Sequence, residues 1–135
     1  MANTFFTQLL TPEGSLFEGD VVSVQVPGIK GSFQMLYNHA PIVSALGIGK
    51  IVITTAKNEE ILYAVNGGFV EMSNNRCTLL AENADLANEI DTDLARKERN
   101  RLKEELRTIK QGREEIEVEL AIANNKLKVA ELSAN

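Results

Sequence analysis

The feature that most constrains this chain is a change of period and composition near Ala84. From Thr4 to about Asn83, short apolar segments recur at every second position between Gly, Pro and Asn breaks, the spacing of half-buried strands. After Ala84, Gly and Pro nearly vanish and Glu, Lys, Arg, Leu and Ala dominate, all residues that lose little on entering a helix. The change predicts an α+β chain, with a β-sandwich or flattened barrel of about eight to ten short strands over residues 1–84 and a two-helix hairpin over residues 85–135.

The breaks set the strand ends. Val22, Val24 and Val26 share one face, and Pro27-Gly28 closes that strand before a next one from about Ser32 to Leu36. Thr11-Pro12-Glu13-Gly14 reads as a turn, Gly47-Ile48-Gly49 as a break before Lys50–Thr55, and Lys57 to Glu60 as the link to Ile61–Val65. Asn66-Gly67-Gly68 is a tight turn or a bulge, and a last strand is expected near Cys77–Ala81 after Ser73-Asn74-Asn75.

In the second segment, Asp91 is placed to cap a helix from Thr92 to about Lys110, which Gln111-Gly112 ends. A second helix from about Glu114 to Leu132 carries its acids early and its lysines late, the order the helix dipole favours. It has two apolar stripes: Ile116, Leu120, Ala123, Leu127 and Ala130, and Val118, Ile122, Val129 and Leu132. Either both stripes are buried at once, or the helix exchanges neighbours between two conformations. The first helix has only the narrow stripe Leu94, Leu102, Leu106 and Ile109, so most of its surface stays solvated or meets a polar partner.

Charge divides along the same line. The net charge is -5, yet residues 1–90 hold four Lys/Arg against nine Asp/Glu, while residues 91–135 hold ten of each. Between Arg96 and Arg113 eight basic residues face three acids, which suits either a solvated helix face or an acidic protein partner. The overall negative charge, 5% aromatics and absence of Trp argue against nucleic-acid binding. The start lacks a secretory or transit signal, and no apolar run approaches the ~20 residues of a membrane-spanning helix.

Catalytic chemistry is hard to assemble. There is no phosphate-binding Gly-x-x-x-x-Gly-Lys-Ser/Thr loop, and His39 and Cys77 are single examples of their kinds. Cys77, alone in an apolar strand, reads as a buried inert thiol. His39 precedes Ala40-Pro41, which holds Ala40 extended, and a structural histidine is the plainer reading than a proton-transfer group.

The stretch Gly31-Ser32-Phe33-Gln34-Met35-Leu36-Tyr37-Asn38-His39-Ala40-Pro41-Ile42-Val43 resembles the signature of F-type ATP synthase epsilon subunits. Leu10-Thr11-Pro12, Phe17-Glu18-Gly19, Asn66-Gly67-Gly68-Phe69, Thr78-Leu79-Leu80-Ala81 and the terminal helical pair extend the resemblance over nearly the whole chain. The resemblance implies a non-catalytic rotor subunit that binds the central-stalk gamma subunit and the c-ring and couples proton flow to ATP synthesis. It places Lys30, Gly31 and Ser32 near the c-ring and His39, Ala40 and Pro41 against gamma. It also implies that the helices either fold on the sandwich or extend to the alpha/beta catalytic head. There the basic residues Arg96, Arg99, Arg101, Lys103 and Arg107 would block ATP hydrolysis.

Two positions depart from the signature, Gln34 for a second Gly and Ser32 for an acid. Some family members hold ATP through Ile-Asp-x-x-Arg-Ala, whereas here Ile90, Asp91, Leu94 and Ala95 form a degenerate version, with Ile122 and Lys126 at the second-helix Arg positions. No cofactor and no metal are therefore expected. The implied location is peripheral, on the cytoplasmic face of a bacterial inner membrane or, as the second choice, the stromal side of a thylakoid. Two other classes stay open from the residues alone: a free β-sandwich adaptor whose helices recognise another protein, and an enzyme built on His39 with a nearby carboxylate.

Overall fold

The computed structural model describes residues 3–134; Met1, Ala2 and Asn135, at the ends of the two expected segments, lie outside the described residues. Seven strands are followed by a 3-10 turn at Ala87–Glu89 and two helices. The strands are β1 (Phe5–Thr11), β2 (Gly14–Gly28), β3 (Gly31–Met35), β4 (Ile42–Thr55), β5 (Glu60–Ser73), β6 (Arg76–Ala81) and β7 (Ala84–Leu86). The helices are α1 (Thr92–Thr108) and α2 (Arg113–Ala134). The strand order is β1-β6-β5-β4-β2-β3, with β1 also paired to β2, so five strands close on themselves into a flattened barrel and β3 and β7 attach at the sides. Closure leaves few unpaired edges.

The strand count falls below eight to ten because β4 and β5 run through the glycine segments that the sequence reads as breaks. On β5, Tyr63 and Val65 face the core before Gly67-Gly68, and Val70 and Met72 face it afterwards. The inward parity switches from odd to even across the glycine pair. β4 does the same, with Leu46 inward before Gly47-Ile48-Gly49 and Ile51 and Ile53 inward after it. Each long strand thus turns a corner from one layer to the other while keeping its apolar side inside. Gly68 makes the corner possible: its φ is +138, and a Cβ there would collide with the Leu80 carbonyl.

A bulge in β2 corrects the valine pattern. Val21 pairs with Thr55 and Ser23 with Thr54, so Val22 is the extra residue. Val21, Val24 and Val26 are fully buried, and Val22 is only partly so. Cys77 lies opposite Thr7 across the parallel β1–β6 pair, where burial pushes its thiol up to about 12, against a weaker contact with Thr7. It stays protonated at neutral pH. Thr7 Oγ1 has no other hydrogen-bond partner among the described residues.

Asp91 caps α1 by accepting from Leu94 N at 3.0 Å. α1 stops at Thr108, slightly before Lys110, and Gly112 takes φ +71 in the link to α2. Arg113 reaches back to the carbonyls of Leu106 (2.6 Å) and Ile109 (3.2 Å), which have no helical donor left. The buried stripe of α1 contains Ala95 and Leu102, whereas Leu94 is 64% exposed. At about 100° per residue, Ala95 shares a face with Leu102, Leu106 and Ile109, and Leu94 falls a quarter turn away.

α2 packs against α1, the 3-10 turn, β4 and β5, while α1 packs mainly on α2. Val129 is buried with Ala64 of β5 and Ala87, and Asn125 Nδ2 donates to Gly49 O at 2.9 Å. Of the two α2 stripes, Ile116, Ala123 and Ala130 are buried. The other is covered only in part, since Val118 and Leu132 remain exposed.

Candidate interaction surfaces and the interhelical cavity

Lys30, Gly31 and Ser32 are exposed at the tip of the β2–β3 hairpin. Ile29 N donates to Ala45 O at 3.1 Å, laying the tip along the first residues of β4. Tip and strand share a shallow concavity of about 550 Å³ lined by Ile29, Lys30, Val43 and Ala45 among others. Ile29 is 64% exposed at this tip. An apolar residue in a turn carries no periodic signal, so nothing in the sequence pattern marks Ile29.

His39, Ala40 and Pro41 lie in the loop between β3 and β4, with His39 half-buried and the other two exposed. His39 N donates to Leu36 O at 3.0 Å, and its Nδ1 lies 2.7 Å from Ala40 O. That contact assigns the proton to Nδ1. The ring is engaged with the backbone of its own loop. Among the described residues, no cluster of His, Cys, Asp or Glu is arranged to hold a metal ion.

An apolar row crosses the outer face of β4, β5, β6 and β1. Ala45 pairs with Phe69, Phe69 with Leu80, and Leu80 with Leu10. Phe69 is 57% exposed and Leu80 50%, and the groove beside them continues to Pro12. Val43, 70% exposed, stands one row along on β4. The centre of the row is open to solvent, while Leu10 and Ala45 at its ends are half-buried. Large apolar side chains at outward positions, where alternation calls for polar ones, are the signal that could have found it.

Ile90, Asp91, Leu94 and Ala95 come together, with Ile122 and Lys126 of α2, around a cavity of about 540 Å³. Its walls also carry Asp85, Glu89, Glu98 and Glu119, so five carboxylates face one ammonium. Lys126 is already engaged by Asp85 at 3.7 Å. A hydrogen bond from Arg101 holds the Glu98 carboxyl below the usual carboxylate range, which keeps that wall charged. A triphosphate would meet repulsion from five of the eleven lining residues, and the residues do not fit ATP.

The five basic residues singled out on α1 do not form one patch. Steps of three, four and four place Arg96, Arg99, Lys103 and Arg107 along one stripe, whereas Arg101, five residues after Arg96, points about 140° away. Arg101 is held by Glu98 (2.6 Å) and Glu105 (3.0 Å), Arg96 by Asp93 (3.1 Å) and Arg107 by Glu104 (3.6 Å). These are exposed pairs, each contributing little to stability.

No helix among the described residues is long and apolar enough to cross a membrane. Residues 4–87 match the family model described as ATP synthase, Delta/Epsilon chain, beta-sandwich domain. The ATP synthase epsilon chain of Halalkalibacterium halodurans is 35% identical over 130 residues, covering 94% of this chain and 97% of that one. The epsilon chain of Salinibacter ruber is 36% identical over 114 residues, 78% of this chain and 76% of its own. Among solved structures, a chain of the Euglena gracilis mitochondrial ATP synthase OSCP/F1/c-ring assembly superposes with TM-score 0.84 at 17% identity. The match covers 98% of this chain and 82% of that one. At that identity the likeness speaks for the fold.

Proposed function

This chain belongs to the family of ATP synthase epsilon chains, and on that basis we propose that it is a non-catalytic central-stalk subunit joining gamma to the c-ring. The observation that carries this reading is the apolar row Leu10, Leu80, Phe69 and Ala45, with Phe69 and Leu80 exposed at its centre. Burying one large apolar side chain is worth about 1.5–3 kcal/mol, so the row is a docking surface for a large partner. Gamma takes this face together with His39, Ala40 and Pro41, and the c-ring takes the hairpin tip at Lys30, Gly31 and Ser32. The subunit transmits torque between them and performs no bond chemistry. It is held at the membrane surface through these partners, on the cytoplasmic side in a bacterium.

The test is binding of purified gamma to the double variant Phe69→Ala, Leu80→Ala. An affinity loss on the order of 30-fold or more is expected, since central apolar anchors cost about 2 kcal/mol or more when truncated, with the unfolding midpoint little changed. Unaltered affinity would remove the docking assignment.

The two segments are proposed to act as separable domains, residues 1–84 for assembly and residues 85–135 for regulation. The Arg96, Arg99, Lys103 and Arg107 stripe, with Arg101 apart from it, supports contact with an acidic surface of the catalytic head when the hairpin leaves the sandwich. Truncation after Asp91 is expected to leave gamma binding intact and to raise ATP hydrolysis by the reconstituted complex. The carboxylate-rich cavity supports a hairpin whose folded state is independent of ATP.

A further inference from the structure

We propose that Asn75 is a positioning residue for the His39-Ala40-Pro41 loop, acting through a reciprocal amide clamp with Asn38. The two residues lie 37 positions apart in sequence. Asn38 N donates to Asn75 Oδ1 at 2.7 Å, and Asn75 Nδ2 donates to Asn38 Oδ1 at 2.9 Å. A backbone N–H can only donate, so the first bond fixes which end of the Asn75 amide faces Asn38, and the second follows.

The backbone has been arranged to allow it. Ser73 pairs with Arg76 across a two-residue connection in which Asn74 and Asn75 have φ of 51° and 59°, the form of a type I′ turn. The second central position of such a turn suits Gly best. Asn75 gives up that ease and supplies a side chain that bridges to another loop. Asn38 also has a left-handed φ, 65°, which Asn tolerates better than most residues. On the other side, Asn75 O accepts from Phe6 N at 3.1 Å, so the turn is itself tied to β1.

Among the described residues, the remaining hydrogen bonds of the 36–41 loop are local, between His39 and Leu36 and between His39 and Ala40. The Asn75 amide is what connects the loop to the body of the sandwich at a turn fixed from both sides. The functional role rests on the reading that this loop faces gamma; the clamp itself rests on geometry.

The experiment compares Asn75→Gly, Asn75→Asp and the control Asn74→Gly in the full chain, following amide hydrogen exchange in the loop and affinity for purified gamma. Asn75→Gly suits the turn and removes only the bridge. It is expected to speed exchange at Asn38 and His39 on the order of tenfold, as the loss of one or two exposed hydrogen bonds implies. Gamma affinity should fall severalfold with an unchanged unfolding midpoint. Asn75→Asp still accepts from Asn38 N, and the Asn38 amide can turn to donate to it, so both readouts should recover toward the starting values. The control should move neither. Unchanged exchange in Asn75→Gly overturns the clamp. Faster exchange with unchanged affinity keeps the clamp and overturns the assignment of the loop to gamma, and with it the positioning role.

Discussion

β5 has two outward faces that were built for different neighbours. Before Gly67-Gly68 its outward residues are Leu62 and Ala64, which lie under α2 with Ala87 and Val129. After the glycine pair the outward position is Phe69, beside Leu80, and it is bare. Where the neighbour is part of the same chain, small side chains let a helix approach closely. Where large side chains stand uncovered, the described chain offers them no neighbour, the pattern expected of an interaction surface. One strand therefore carries both a face covered within the chain and a bare one.

Substitutions can erase or isolate that contrast. Gly68→Ala should erase it, because the new Cβ meets the Leu80 carbonyl in a backbone conformation that L side chains rarely adopt. A loss of about 3 kcal/mol or more is expected by denaturant unfolding, affecting both faces together. Ala64→Phe acts on the covered face alone. Overpacking under α2 should cost about 1–3 kcal/mol and appear as faster hydrogen exchange in α2, with gamma affinity retained. If exchange in α2 does not change, the helix is held mainly by α1 and not by the sheet. Asp91→Ala removes the α1 cap, with a cost of about 1 kcal/mol read as fraying of the first turn in hydrogen exchange. Lys126→Gln breaks a half-exposed ion pair and should cost at most about 1 kcal/mol. Hairpin docking in that variant should also lose part of its sensitivity to salt. A larger effect would mean that the ion pair, rather than Val129, dominates docking.

The turns were legible in the sequence where a single residue type decides the backbone. Thr11 to Gly14, Lys57 to Glu60, Ser73 to Asn75, the Asp91 cap and Gly112 all occur where they were read. What was hidden depends on pairing between distant strands. Gly47-Ile48-Gly49 and Asn66-Gly67-Gly68 have the composition of breaks, yet the strands continue because the two segments pair with each other, Leu46 with Gly68 and Ile48 with Asn66. Val22 lost its place in the core to a bulge that only the register with β4 defines. Leu94 lost its place to Ala95, since facing geometry rather than size chose the buried position. At the interaction surfaces, the motif loops were visible and the Phe69–Leu80 row was not. The residues of that row come from strands whose order the sequence does not state. Arg113, read as one more basic charge, turns out to close the end of α1.

The packing of α1 mainly on α2 has a mechanical consequence. The hairpin joins the sandwich covalently near Ile90 and Asp91, but its hold on the sheet lies some 35 residues further along, at Asn125, Lys126 and Val129. Pivot and latch sit at opposite ends of the chain segment, and α1 is the panel between them. A competitor for the last turns of α2 would free both helices together, whereas one that grips α1 alone would have to pull against the whole α1–α2 interface. Release of the hairpin from the sheet is therefore set at Asn125, Lys126 and Val129, far from the basic stripe of α1.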